Sequence, residues 1–324
     1  MRLSRLMITK EHLEKHMQEP ILSKTLEGKF EDVFAEVQHD EQLGLMNPNQ
    51  LRLFCLDVAN NAFSYDALRE FLIDNIGQYV YSRARMEQFV VDGKAKAIVY
   101  RAVQLLNKKG CPGEKGSGAD LGEMLIYVFL EHVLGAPKIM SKVELVASGG
   151  TYTSKSDAIH LLAVEGEDIP FYQLVFGSST IEGEIEDAIE DAFKAVAAIH
   201  ENQQQEKNTL VETSTIYKLV DEETAQKMAE VILPSKNHAP VDNAYGIFIG
   251  YSLGLDPTQY SNAQFRIEMQ KKMERDIKQH AALIRSKINE LGLQNYSFYI
   301  YVLPLNKALE DRQSIMNEIM GGGE

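Results

Sequence analysis

Two short runs of apolar residues lie close together in the middle of the chain, one over residues 159–164 and the other over residues 171–176. The second run is rich in aromatic side chains, and the polar residues 165–170 separate the two. Runs of this length and spacing predict two antiparallel strands joined by a turn. The central feature of the chain is therefore a β-hairpin.

The turn sets which residues of the two strands face each other. If Val164 faces Phe171, the same register pairs Asp157 with Ser178 and brings their Cβ atoms to about 5 Å. Thr180 shares the face of Ser178 because side chains alternate along a strand. A strand-end aspartate, with an acid on the neighbouring strand and a lysine two residues further, can hold Mg²⁺ and orient an attacking water. Here serine and threonine stand at the acid and lysine positions, and the inference depends on Asp157 and Ser178 sharing one face.

Helical patterns flank the hairpin. Apolar positions at helical spacing predict a helix over residues 121–134, and the spacing of Asp120 and Glu123 is typical of an N-terminal cap. Glu123 therefore has two interpretations, a capping residue or an acid that binds metal or positions water. We expect a strand over residues 142–148 before the hairpin and a helix over residues 184–202 after it. This order of elements is typical of a mixed α/β nuclease core.

The rest of the chain divides around this core. The residues before it are predicted to be mainly helical, and the pattern over residues 245–303 predicts a strand, a long helix and a second strand, joined as a right-handed crossover. We therefore predict an α/β protein in three parts: a mainly helical N-terminal lobe (1–108), a nuclease-like core (109–205) and a C-terminal α/β region that packs on the core (206–324).

Composition limits the class of protein. The chain has 324 residues, 44% of them hydrophobic, which is enough for a substantial core. No apolar run reaches the roughly 18 residues of a membrane helix, and charged residues interrupt the first twenty positions, so we expect neither a membrane span nor a signal peptide. Two cysteines, Cys55 and Cys111, exclude a disulfide framework and a cysteine-rich zinc site. These features predict a globular, cytoplasmic protein.

Charge is unevenly distributed along the chain. The net charge of −14 argues against a protein that binds nucleic acid over its whole surface. Residues 83–115, however, contain eight basic residues against three acids, a local charge of +5, with aromatic residues between them. This pattern favours a groove that follows a DNA backbone, and a solvated basic face without a partner is the other interpretation. The candidate DNA-binding residues are Arg83, Arg85, Lys94, Lys96, Arg101, Lys108 and Lys109.

Several segments together resemble one protein family. In order along residues 118–320 they are LGEMLIYVFLEHVLGAPKIMSKVEL, KSDAIHLL, YQLVFGSS and YSFYIYVLPLNKALEDRQSIM. They resemble the HamA family of the bacterial Hachiman anti-phage defence system. The resemblance implies a restriction-endonuclease-like fold of the PD-(D/E)xK class, with a mixed sheet flanked by helices. It also implies Mg²⁺-dependent cleavage of DNA and a HamB-like helicase partner.

The resemblance assigns roles to individual positions. Asp157 matches the motif aspartate and Glu123 the glutamate of the preceding helix, so these two would be the metal ligands. The family's Gly-Glu-Ser-Lys stands here as residues 177–180, so that Ser178 replaces the glutamate and Thr180 replaces the lysine. A hydroxyl brings no charge to a divalent ion, and threonine supplies no cation to a scissile phosphate. The predicted catalytic set is thus only partly present.

Two hypotheses follow from this set. In the first, the chain is a nuclease effector with an altered active site. In the second, it is a pseudo-nuclease that binds DNA or a helicase and performs no chemistry. An acidic cluster of Glu123, Asp157 and either Glu182 or Glu184 favours the first hypothesis, and an uncharged pocket favours the second.

Overall fold

The structure, a computed structural model, is an α/β fold in which helices flank a six-stranded mixed sheet. It describes residues 22, 25–109, 120–140, 143, 155–164, 171–211, 222–232 and 241–321. Within these ranges no helix has both the length and the apolar character that crossing a membrane requires. The predicted class, a mixed sheet flanked by helices, is confirmed.

The sheet draws its strands from most of the chain. They are β1 (Ala35–Val37), β2 (Asn49–Cys55), β5 (Ala158–Val164), β6 (Phe171–Glu182), β7 (Asp242–Ser252) and β8 (Ser297–Leu305). The spatial order is β1-β2-β8-β7-β6-β5, with the four inner strands parallel and the two edge strands antiparallel to their neighbours. A separate small hairpin consists of β3 (Val58–Ala59) and β4 (Ala62–Phe63). All nine residues of β8 are buried, as expected of a parallel strand covered on both faces.

Helices cover both faces of this sheet. The described helices are α1 (Asp66–Asp74), α2 (Ile76–Val80), α3 (Arg83–Val91), α4 (Ile98–Lys109), α5 (Leu121–His132), α6 (Ile185–Val211), α7 (Glu222–Ile232), α8 (Asn262–Glu290) and α9 (Ala308–Ile319). Helix α5 packs on one face, where its Phe129 ring lies 5.6 Å from that of Phe248. Helix α6 packs on the other face, where Phe193 lies 6.2 Å from Phe298. Helix α8 in turn packs on α6.

Two glycines allow α5 to approach the sheet closely. Gly177 and Gly246 are neighbours on β6 and β7. A Cβ at Gly246 would lie 2.6 Å from a methyl of Leu130, and one at Gly177 would lie 3.2 Å from Ile126. Larger residues here would push the helix outward. The close contact buries every residue of α5 from Leu121 to Glu131, including two glutamates.

Most of the predicted elements are present. The hairpin, the helix from residue 121 and the later strand, helix and parallel strand are confirmed as β5 and β6, α5, and β7, α8 and β8. The helix after the hairpin is longer than predicted and reaches Val211. Of the strand predicted at residues 142–148, Val143 alone is described, and its backbone is helical. The other residues of that segment lie outside the described ranges.

The N-terminal part contains strands as well as the predicted helices. Residues 35–63 contribute four strands, and two of them, β1 and β2, extend the main sheet. The description of this lobe as mainly helical therefore missed an edge of the core. The division into three parts stays a prediction, although strands from all three predicted parts join one sheet.

Candidate functional site

The hairpin has the predicted register, but the predicted pair at its end does not form. Val164 lies opposite Phe171, and the ladder continues to Ala158 opposite Gly177, where it ends. At the next residue the Asp157 amide donates to the Gly177 carbonyl, 2.8 Å away. The prediction that Asp157 faces Ser178 is wrong, because it extended the ladder one residue past its end.

The Asp157 carboxylate instead contacts Ser179. Its Oδ2 atom accepts two hydrogen bonds of 2.8 Å each, one from the Ser179 amide and one from the Ser179 hydroxyl. Ser179 also lies against the first turn of α5, since a Cβ added at Gly122 would be 3.0 Å from its Oγ. The site around Asp157 is thus on the face of the sheet that α5 covers.

Ser178 and Thr180 lie on the opposite face. Strand alternation places them on the side of Phe176, away from Gly177 and Ser179. This is the α6 side of the sheet, and both residues are buried there, with 2% and 3% of their surfaces exposed. The geometry therefore gives no support to a site that combines Ser178 and Thr180 with Asp157. Whether either residue has a catalytic role stays a prediction.

A buried ion pair lies next to Asp157. Asp120 caps α5, with its Oδ1 accepting from the Gly122 amide at 2.8 Å. Its Oδ2 accepts from Arg312, whose Nε and one terminal nitrogen are each 2.5 Å away. Arg312 belongs to α9, so this pair joins the last helix of the chain to the start of α5. The predicted cap is confirmed, whereas no local sequence signal indicated its partner.

Burial affects the ionisation of Asp120. Removal from water raises the pKa of its carboxyl above the usual range, and the nearby charge of Asp157 raises it further. Arg312 and the Gly122 amide act in the opposite direction and do not fully compensate. The site therefore contains two neighbouring carboxylates, Asp120 and Asp157, with the guanidinium of Arg312 beside Asp120.

Glu123 occupies the first turn of α5 and is completely buried. It stands one residue after Gly122, which contacts Ser179. Glu182 is the last residue of β6, and Glu184 is exposed just before α6. Glu123 is thus next in sequence to Gly122, the glycine that lies against Ser179. Asp157 accepts its hydrogen bonds from the same serine.

The hydrogen bonds at Asp157 and Asp120 leave few oxygen atoms for a divalent cation. Mg²⁺ requires several oxygen ligands in near-octahedral geometry. One oxygen of Asp157 already accepts two hydrogen bonds, and both oxygens of Asp120 are engaged by Gly122 and Arg312. Within the described ranges, no group of three histidine, cysteine, aspartate or glutamate side chains is arranged to hold a metal ion. The predicted assignment of Asp157 and Glu123 as metal ligands stays a prediction.

The basic segment is less uniform than its sequence indicates. Arg83 points inward, where its guanidinium lies 3.8 Å from the fully buried carboxylate of Glu131. Burial lowers the pKa of Arg83, and Glu131 partly opposes this effect. Glu131 also accepts hydrogen bonds from the amides of Thr25 and Lys138, at 2.6 and 2.7 Å. Arg83 is thus largely engaged in an ion pair with a buried acid, and its contact with DNA stays a prediction.

The other basic side chains have different positions. The exposed ones are Arg85, Lys94, Lys96, Arg101 and Lys108. Lys109 ends α4, and its side chain lies outside the described residues. Contact of these residues with DNA stays a prediction.

His160 is a packed core residue. It is fully buried in β5, and its Nδ1 lies 2.7 Å from the carbonyl of Ala136. Burial lowers the pKa of His160 to about 4, so the ring is neutral at physiological pH.

Comparison with known proteins identifies the family. The profile of the HamA family matches residues 31–319, which covers the sheet, α5 and all of α9. A search of curated proteins gave no match. The resemblance seen in the hairpin and the flanking helices therefore extends over nearly the whole chain. The protein belongs to the HamA family and is a Hachiman-type defence protein.

Proposed function

We propose that this chain is a helicase-binding subunit of a Hachiman-type defence complex and does not itself cut DNA. One observation carries the proposal: the Asp157 carboxylate is held by the amide and hydroxyl of Ser179. A metal-dependent nuclease would need a second carboxylate from that strand. Ser179 donates to Asp157 without adding negative charge, and Ser178, which stands in place of the family's glutamate, adds none either.

The neighbouring groups support the same proposal. Asp120 is engaged by Arg312, so this neighbouring carboxylate serves as a helix cap and ion-pair partner. The serine and threonine that replace the family's glutamate and lysine point to the α6 face. The restriction-endonuclease-like fold that the resemblance implies would then serve as a scaffold for binding. The helicase partner is likewise implied by the resemblance.

The proposal is tested by measuring cleavage and binding on the same preparation. Supercoiled plasmid is incubated with the purified chain and Mg²⁺ or Mn²⁺, with and without the HamB-type helicase of the same system. We expect no nicking above background in either condition, together with measurable binding to the helicase. Asp157→Ala serves as the matched variant, because any contaminating nuclease would be unaffected by it. Metal-dependent nicking that disappears in Asp157→Ala would overturn the proposal.

One observation favours a second candidate function. The charge of Asp157 acts on the Asp120 carboxyl, and Glu123 lies in the first turn of the helix that Asp120 caps. This remnant of an acidic cluster favours a deoxyribonuclease with an altered site, whose relatives use Mg²⁺. The same plasmid assay separates the two candidates, since cleavage that requires both the helicase and Mg²⁺ supports the second.

A further inference from the structure

An exposed apolar patch lies at the junction of α3 and α4. Its members are Val90, Val91, Val99 and Tyr100, with 65%, 80%, 39% and 66% of their surfaces exposed. Elsewhere in the described ranges the exposed large hydrophobic residues are Met46, Ile267 and Leu309, which are far from one another in sequence. Single exposed apolar residues are ordinary, but four of them on two consecutive helices, with basic side chains around them, are typical of an interaction surface.

The two ends of the patch are held together by a tight turn. Helix α3 ends at Val91, Gly93 follows with a φ of +67°, and the Lys94 amide donates back to the Phe89 carbonyl at 2.8 Å. The guanidiniums of Arg85 and Arg101 lie over the Phe89 ring, at 4.8 and 5.7 Å from its centre. Because these arginines come from α3 and α4, the start of α4 lies beside the end of α3.

Basic side chains surround the apolar centre. The exposed ones are Arg85, Lys94, Lys96, Arg101 and Lys108, and the acids in the same stretch are Glu87 and Asp92, so five positive charges minus two negative leave +3. Lys94 pairs with Asp92 at 3.0 Å. A positive rim on a chain with a net charge of −14 would attract a partner that is negative at the matching positions.

We infer that this corner is the docking surface for a protein partner that presents an apolar centre and an acidic rim. The inference rests on the proposed function, which requires such a partner. Arginine and tyrosine are the residues that most often dominate binding at protein interfaces.

The composition of the centre distinguishes a protein from a nucleic acid. Nucleic-acid surfaces combine basic groups with aromatic rings on which bases stack. Three of the four central residues are valines, which have no stacking face. The fourth, Tyr100, accepts a 2.6 Å hydrogen bond from Gln104 at its hydroxyl. Exposed valines gain free energy by packing against apolar side chains, which a phosphate backbone does not offer.

The inference is tested with a triple variant, Val90→Ser with Val91→Ser and Tyr100→Ser. The matched control is Ile267→Ser with Leu309→Ser, which removes exposed apolar residues from α8 and α9. Thermal unfolding first establishes that both variants are folded. Binding to the purified HamB-type helicase is then measured at low and high salt. We expect the triple variant to bind at least about tenfold more weakly, and the control to bind like the unmodified chain.

Two parallel arms test the other occupants. One measures binding of single-stranded and duplex DNA oligonucleotides, and the other measures self-association by sedimentation. Unchanged helicase binding by the triple variant overturns the inference. A selective loss of DNA binding or of self-association also overturns it, in favour of nucleic acid or a second copy of the chain. If the unmodified chain does not bind the helicase, the proposed function fails. If the control variant loses helicase binding as much as the triple variant does, the docking surface is refuted and the proposed function stands.

Discussion

Asp157 shows how one hydrogen-bonding arrangement affects the interpretation of the site. Its Oδ2 accepts from two donors of a single residue, the amide and the hydroxyl of Ser179. The two hydrogen bonds fix the orientation of the carboxylate against β6. The donor is Ser179, whereas the serine that stands in place of the family's glutamate, Ser178, lies on the other face of β6.

Replacing Ser179 with alanine should destabilise the protein modestly. The hydroxyl bond is lost and the amide bond remains, so we expect the free energy of unfolding to fall by about 1–2 kcal/mol. Urea unfolding measures the change. Ser286→Ala is the control, because Ser286 makes a similar 2.8 Å bond to Glu290 on the exposed side of α8 and should change stability by less than about 0.5 kcal/mol. Equal effects at the two positions would contradict this account of Ser179.

Replacing Arg312 with glutamine should cost more and should depend on pH. The change leaves the buried Asp120 carboxylate without its cation, and we expect a loss of about 3 kcal/mol at pH 7. Since Arg312 lowers the pKa of Asp120, its removal raises that pKa further. A group with a raised pKa in the folded state stabilises that state when protonated, so the loss should shrink as the pH falls from 7 to about 4.

The exposed pair of Arg52 and Glu36 provides the comparison for Arg312. Its shortest nitrogen–oxygen distance is 2.6 Å, but about a third of each side chain is open to solvent. We expect Arg52→Gln to cost no more than about 1 kcal/mol. Urea unfolding of both variants at several pH values tests the difference. A loss for Arg312→Gln that is independent of pH would show that its role is packing and not charge.

At the scale of elements, the local sequence pattern predicted those helices and strands whose stabilising interactions are also local in sequence. The hairpin register follows from its turn, and α5 follows from its cap and apolar spacing. The ladder ended one residue earlier than the pattern indicated, because Asp157 bonds to the Gly177 carbonyl. Because of this difference of one residue, the Asp157 carboxylate contacts Ser179 and not Ser178. Arg312 could not be found in this way, since it meets Asp120 across 192 positions of sequence.

The N-terminal strands illustrate the same limit. β1 has three residues, and β2 reads NQLRLFC, with polar side chains at three of its seven positions. Neither forms a continuous apolar run. β2 is ordered by pairing with β8, nearly 250 residues later, and β1 is ordered by pairing with β2. Pairing with a strand that is distant in sequence can order residues of low β-propensity, and the sequence around them then gives little indication of a strand.

The face of β6 on which a new carboxylate is placed should decide whether the protein binds Mg²⁺. Ser179→Glu puts an acid beside Asp157, whereas Ser178→Glu puts it on the α6 side. Both changes bury a charge and should lower the melting temperature. Addition of 10 mM Mg²⁺ should raise the melting temperature of Ser179→Glu by about 2–4 °C and leave that of Ser178→Glu unchanged. Differential scanning fluorimetry measures both, and an equal response would contradict the assignment of faces.

At the scale of the whole molecule, the sheet joins parts of the chain that are distant in sequence. β6 pairs with β7, β7 with β8 and β8 with β2, so each of the three predicted parts contributes strands to one hydrogen-bonded layer. The layer is also covered by helices from different parts, since α5 precedes the hairpin and α9 comes near the end of the chain. The boundaries between the three predicted parts therefore divide the sequence, but the backbone hydrogen bonds of the sheet cross them.

This topology predicts how a fragment will behave. Residues 109–205, the predicted nuclease-like core, contain β5 and β6 without β7. In the intact chain, β6 pairs with β7 from Gln173 to Glu182, and those backbone groups would lose their partners. A two-stranded hairpin with one helix on each face buries too little apolar surface to be stable alone. We expect the isolated fragment to show no cooperative thermal transition by circular dichroism, whereas the intact chain shows one. A cooperative transition in the fragment would instead establish residues 109–205 as an independent domain, with the rest of the sheet added to its edge.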